Sequence, residues 1–225
     1  MMEIKEYSGL NSPQFEAVKT FDRPVLVLAG AGSGKTRVIT AKIAEIIKTG
    51  RATPFQILAV TFTNKAAHEM IERIRQMGIE AGNLNIGTFH SIAARMLRKS
   101  ANLVGFGNNF LIADSGDQKK IIKDILQEFG MDVKAFPPGL ILNFISRVKE
   151  QFISPTELSM NFSNFPNIYR EIRMDKIYAS YQQTLRSQNM MDFDDLLFFI
   201  TKLLSENKEI LEQYRELFKY ILIDE

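Results

Sequence analysis

Apolar residues recur along this chain at two spacings, and the change from one to the other divides the sequence. Pro24-Val-Leu-Val-Leu-Ala29 and Gln56-Ile-Leu-Ala-Val-Thr61 are short continuous apolar runs rich in branched side chains. Runs of this kind mark parallel strands buried on both faces. Each is followed by a helical repeat. The first helix is predicted from Lys35 to about Lys48, with Gly50 closing it. The second places Ala67, Met70, Ile71 and Ile74 on one face and stops at Gly78. Asn85-Ile86 begins a weaker third strand, and a helix over Ser91 to Lys99 follows. Strands and helices alternating in this way predict a doubly wound α/β domain.

After about residue 112 the strand signal disappears. Ser115-Gly-Asp-Gln118 resembles a capping box, and Ile121, Ile122, Ile125, Leu126 and Phe129 form an apolar helix face closed by Gly130. Phe136-Pro-Pro-Gly139 is a break before a helix running to about Glu150. Pro155 and Pro166 punctuate the next stretch, and one longer helix is predicted over Ile168 to Leu185. Another runs from about Asp192, its expected cap, to Ser205. Tyr220-Ile-Leu-Ile223 then returns to the buried-strand pattern. The expected organisation is an α/β domain over 1–114 and 190–225, with a helical insertion over 115–189.

Composition narrows the chemistry. With 45% hydrophobic residues the chain can bury a core, which argues against global disorder. Its 28 basic and 26 acidic side chains nearly balance, so any basic surface is local. The absence of cysteine excludes disulfides, thiolate metal sites and cysteine nucleophiles. Two histidines, His68 and His90, make a multi-histidine metal site improbable. The charged N-terminus lacks a signal-peptide core, and no apolar run reaches the roughly 18 residues of a membrane span. The expectation is a soluble, cytoplasmic protein.

Ala29, Gly30, Ala31, Gly32, Ser33, Gly34, Lys35 and Thr36 lie between the first predicted strand and the first helix, where a phosphate-binding loop belongs. Glycines let successive N–H groups converge on one anion, and the helix N-terminus adds its positive end. Lys35 would place a charge on the β- and γ-phosphates, and the Thr36 hydroxyl would ligate Mg²⁺. ATP with Mg²⁺ is the expected ligand. The final strand ends in Asp224 and Glu225. Asp224 would hold Mg²⁺ through a water beside Thr36, and Glu225 would orient and deprotonate the attacking water. A parallel sheet of this kind normally continues beyond such a strand, so the chain is expected to be a piece of a longer protein.

Further segments carry a family resemblance. They are Leu10-Asn-Ser-Pro-Gln14, Thr61-Phe-Thr-Asn-Lys-Ala-Ala67, Gly87-Thr-Phe-His-Ser91 and Asp192-Phe-Asp-Asp-Leu-Leu197. With the phosphate loop and Ile221-Leu-Ile-Asp-Glu225, their order resembles that of UvrD/Rep/PcrA-type superfamily 1A DNA helicases. The alanine leading the phosphate loop, a departure from the general pattern, is usual there.

The resemblance implies a RecA-like P-loop NTPase fold, a parallel sheet flanked by helices (domain 1A), with the helical insertion as domain 1B. It implies that Gln14 reads the adenine edge and that Arg37 packs beside the base. It makes Thr61, Phe62, Thr63 and Asn64, with Thr88 and His90, the DNA-facing set. An exposed aromatic can stack an unpaired base, so Phe62 is the candidate platform; the alternative is a core position. His90 carries a similar alternative, a structural histidine. Asp192, Asp194 and Asp195 are expected to cap a helix and link elements; of the basic residues such as Arg147 and Lys149, most are expected to lie on a solvated face, with contact of some to the DNA phosphate backbone as the alternative. The implied activity is ATP-driven 3′-to-5′ movement on single-stranded DNA and unwinding at single-strand/duplex junctions, in bacterial repair or replication at the nucleoid. The second motor domain and its arginine fingers have no counterpart in these residues, so the piece alone is expected to be nearly inactive. A helicase–nuclease of the RecB/AddA type and an ATP-gated DNA-binding module remain alternatives.

Overall fold

The structure, a computed structural model, describes residues 9–30 and 32–224. Of these, the residues up to Ile92 and those from Lys208 to Asp224 form one compact unit; Ala93–Asn207 form the other.

The first unit is built on a parallel three-stranded sheet in which β1 (Ile57–Thr61) lies between β2 (Asn85–Thr88) and β5 (Tyr220–Asp224). All five residues of β1 are buried, as its unbroken apolar pattern requires of a central strand. The helices are α1 (Ser12–Lys19), α2 (Lys35–Lys48), α3 (Asn64–Gln76) and α11 (Lys208–Leu217), with α4 (Phe89–Ser100) beginning in this unit. Ile43 and Ile46 of α2 and Met70 and Ile74 of α3 share one core with Ile57, Ala59 and Leu222. The register aligns Thr61 with both Thr88 and Asp224, which brings three candidate site residues to the carboxyl edge of the sheet. Ligand sites of open α/β sheets lie at that edge.

Two expectations fail here. Pro24–Ala29 forms no strand, and Leu26 and Leu28 stand 83% and 86% exposed. A continuous apolar run becomes a buried strand only when neighbours cover both its faces and both its edges. No strand of the described residues pairs with this one. The last strand does form, but only half of it is buried: Leu222 and Asp224 point inward, while Ile221 and Ile223 are exposed.

The second unit is helical, with α5 (Ser115–Glu128), α6 (Pro138–Glu150), α7 (Pro155–Asn161), α8 (Asn167–Glu171), α9 (Met174–Ser187) and α10 (Phe193–Glu206). Two-residue strands β3 (Leu111–Ile112) and β4 (Met190–Met191) pair in parallel. Ile121, Ile122, Ile125 and Leu126 pack with Ile141, Ile145, Tyr178 and Leu185, as the helical spacing predicts. Local details differ from the sequence reading. The cap of α5 is Asp114, one residue earlier than expected, because its carboxylate accepts from the N–H groups of Gly116 (2.7 Å) and Asp117 (2.9 Å). The single helix expected over 168–185 is broken at Arg173, whose φ of 55° no helix accommodates. The sequence pattern does not predict helices α1, α7 and α11, although Ser154-Pro-Thr-Glu157 is a legible capping box.

A buried charge cluster joins three of these helices. Lys149 of α6 donates to Asp192 Oδ2 at 2.6 Å and lies 2.8 Å from Asp195 Oδ1. Tyr181 and Gln182 of α9 donate to the same two carboxylates. Asp192 and Asp195 also cap α10 reciprocally. Lys149 is therefore not on a solvated face, as expected, but only 2% exposed. It sits four residues after Ile145, on the apolar side of α6. Burial alone would lower the Lys149 pKa, but Asp195 and Asp192 outweigh it and hold the pKa above its ordinary value. Burial pushes the Asp195 carboxyl up to about 6, against the attraction of Lys149 and with the help of Asp192.

Candidate nucleotide and nucleic-acid site

The phosphate loop leads directly into α2. Its turn uses Gly32 and Gly34 at φ 74° and 90°, a left-handed backbone that a side chain would strain. Gly34 is the N-cap residue and offers no side-chain cap, so the first amides of α2 keep their donors for something else. Lys35 folds over the loop and donates to the carbonyls of Ala29 and Gly30, both at 3.1 Å. Its ammonium is thereby held where an anion on the loop would meet it.

Thr36 supplies the decisive contact. Its hydroxyl donates to Asp224 Oδ2 at 2.8 Å, across 188 residues of sequence. Asp224 is 5% exposed at the carboxyl end of β5. A hydroxyl and a carboxylate oxygen converging in this way form a hard-oxygen pair, the donor type that Mg²⁺ takes. The residues thus fit the expected ion. Ala31 and the proposed base Glu225 lie outside the described residues.

Gln14 and Arg37 close the other side of the loop. Gln14 sits in the first turn of α1 and donates through Nε2 to the Ser33 carbonyl at 2.9 Å. Arg37 Nη1 donates to the Gly9 carbonyl at 3.4 Å, and the side chain is exposed. Asn11, which the sequence motifs do not mark as a site residue, bonds Gln14 through both its backbone and its side chain. An Asn three residues before a Gln is the signal that could have found it.

The DNA-facing candidates separate by exposure. Phe62 stands 77% exposed just past β1, so the core alternative is not what the fold adopts. Thr63 caps α3 by accepting from Ala66 N–H at 3.1 Å, and Asn64 opens that helix in solvent. Thr61 is 1% exposed and its hydroxyl donates to the Thr63 carbonyl, so its side chain shapes the turn from inside. Thr88 accepts from Ser91 N–H at 3.2 Å, and His90 is half-buried in the first turn of α4.

Fold and site together define a RecA-like P-loop α/β domain that carries a helical second unit. The chain belongs to the UvrD/REP helicase N-terminal domain family, whose sequence model matches residues 10–225. It is 47% identical over 218 residues to a probable DNA helicase II homolog of Rickettsia conorii, covering 96% of this chain and 33% of that protein. It is 45% identical over 219 residues to the ATP-dependent DNA helicase PcrA of Bacillus subtilis, covering 97% of this chain and 29% of that one. PcrA of Staphylococcus aureus is 40% identical over 217 residues. The chain thus spans about a third of the length of these relatives. Among the described residues no helix is long and apolar enough to cross a membrane.

Proposed function

We propose that this chain is the ATP-binding part of an ATP-dependent DNA helicase that moves 3′ to 5′ on single-stranded DNA and unwinds duplex at junctions. The observation that carries the reading is the Thr36–Asp224 hydrogen bond, which joins the phosphate loop to the acidic strand end. The relatives named ATP-dependent DNA helicases support the reaction class.

In this reading the loop from Ala29 to Thr36 wraps the triphosphate with backbone N–H groups, and Lys35 leaves its carbonyl partners for the β- and γ-phosphate oxygens. Thr36 and Asp224 would hold Mg²⁺, which would supply charge neutralisation at the phosphates. Glu225 orients the attacking water and takes its proton. Gln14 reads the adenine edge, and Arg37 packs beside the base. Phe62 offers a stacking face to single-stranded DNA, with Thr63, Asn64, Thr88 and His90 as polar contacts and Thr61 supporting their turn. Residues 115–189 are the inserted domain 1B, and the remainder is domain 1A. The exposed Leu26, Leu28, Ile221 and Ile223 support a larger assembly in which further chain covers them. A second motor domain of the same polypeptide supplies arginine fingers, worth roughly 10³–10⁵ in rate. The chain by itself therefore turns ATP over poorly. Its place of work is the bacterial cytoplasm, on nucleoid DNA.

The test is Lys35→Ala in the full-length polypeptide. Strand unwinding and DNA-stimulated ATP turnover are expected to vanish; undiminished unwinding refutes the assignment. Turnover of the unaltered full-length protein that ignores single-stranded DNA would instead indicate an ATP-gated binding module.

A further inference from the structure

Asn11 and Gln14 make a reciprocal pair at the start of α1. Asn11 Oδ1 accepts from the Gln14 backbone N–H at 3.0 Å, and Gln14 Oε1 accepts from the Asn11 backbone N–H at 2.9 Å. The other end of the same amide donates to the Ser33 carbonyl at 2.9 Å. A Cβ on Gly34 would stand 3.5 Å from Gln14 Nε2, so the amide lies against the backbone of the phosphate loop.

The two bonds fix the amide from both sides. Turning it by 180° would set N–H against N–H at Asn11 and C=O against C=O at Ser33. Among the described residues, each end has also spent only one of its two bonding capacities. Oε1 retains a lone pair, and Nε2 retains a hydrogen. The amide thus presents an acceptor beside a donor in a set order, the complement of adenine's amino group and the neighbouring ring nitrogen. A lone glutamine on a surface helix samples many rotamers and would have to surrender them on binding.

We infer that Asn11 is a positioning residue for base recognition: its Oδ1, by accepting from the Gln14 backbone N–H, fixes the turn that aims the Asn11 backbone N–H at Gln14 Oε1, so the pair holds the reading amide ready and ties it, through Ser33, to the loop that grips the phosphates. The inference rests on the reading of Gln14 as the adenine-facing group. It differs from simple capping of an eight-residue helix, because capping would serve every ligand of the loop equally.

The experiment compares ATP with inorganic tripolyphosphate as competitors of a fluorescent ADP analogue on the full-length polypeptide. Asn11→Ala keeps the backbone N–H that meets Gln14 Oε1 but removes the Oδ1 contact that fixes that backbone, so it is expected to weaken ATP about threefold to fivefold, part of the worth of holding one flexible amide, while tripolyphosphate stays within about twofold. Asn11→Ser, which keeps an acceptor for Gln14 N–H, restores ATP affinity. In a Gln14→Ala background, Asn11→Ala adds no further loss. Equal weakening of both competitors, or of neither, overturns the inference. If Gln14→Ala lowers the preference for ATP and Asn11→Ala does not, only the positioning role falls. If Gln14→Ala leaves that preference intact, the adenine reading itself falls. Should Asn11→Ala not fold, Asn11→Gly carries the same comparison, since glycine at an N-cap costs only a few tenths of a kcal/mol relative to asparagine.

Discussion

Replacing Lys149 by methionine tests how the helical unit is held together. The side chain of Lys149 is 1% exposed, and those of its partners Asp192 and Asp195 are 4% and 0% exposed. The substitution keeps the apolar stem and removes the charge, leaving two carboxylates without their cation. Breaking a buried pair from one side costs about 3–5 kcal/mol, because the remaining charge is desolvated and uncompensated. Relief is available only through protonation. The Asp195 carboxyl is already raised to about 6 with Lys149 present, and removing the ammonium raises it further. The variant therefore regains stability as pH falls from 7 to 5, by at most about 1.4 kcal/mol per pH unit for one proton. Urea unfolding followed by circular dichroism at pH 7 and pH 5 measures both quantities. A loss below about 1 kcal/mol, unchanged between the two pH values, would refute the account. Adding Asp195→Asn should recover part of the loss, because it removes one of the two orphaned charges.

Other expectations follow from the same geometry. In the unaltered chain the folded Asp195 carboxyl titrates near 6, against roughly 3.9 when unfolded. Folding therefore takes up a proton between about pH 4 and pH 6, and the Asp195 contribution to stability rises as pH falls through that window; potentiometric titration of folded and urea-unfolded protein should lose this uptake in Asp195→Asn. Thr36→Ala removes the hydroxyl that meets Asp224 and should abolish the Mg²⁺-dependent part of ATP affinity while sparing the part measured in EDTA; equal loss in both conditions would contradict a metal-facing role. Phe62→Ala should weaken single-stranded DNA binding by about 1–3 kcal/mol without changing ATP affinity, as read by anisotropy of a labelled oligonucleotide. Gly34→Ala forces a side chain into φ 90° and should destabilise the start of α2 by about 1–2 kcal/mol, visible as a lowered melting temperature.

The sequence by itself determined the elements whose signals are local. The phosphate loop is legible because only glycines suit its left-handed turns, and α2 and α3 because their apolar spacing matches one helix face. Strands β1 and β5 were legible as apolar runs, and Asp192 as a cap before a periodic segment. The tertiary structure decided everything that depends on which surfaces meet. Pro24–Ala29 has the composition of a buried strand, yet Leu26 and Leu28 lie in solvent, because burial is a property of neighbours and not of the segment. Lys149 reads as one more surface cation until Asp192 and Asp195, more than forty residues away, turn its position on the apolar side of α6 into a buried ion cluster. Asn11 becomes a helix cap only in the fold, and the approach of Ser33 to Gln14 ties that cap to the phosphate loop. Thr36 and Asp224 are each named by motif, but parallel pairing of β5 with β1 is what brings hydroxyl and carboxylate within 2.8 Å. Local sequence sets the conformations available to each segment; long-range packing sets their dielectric surroundings and their partners, and the chemistry of this site depends on both.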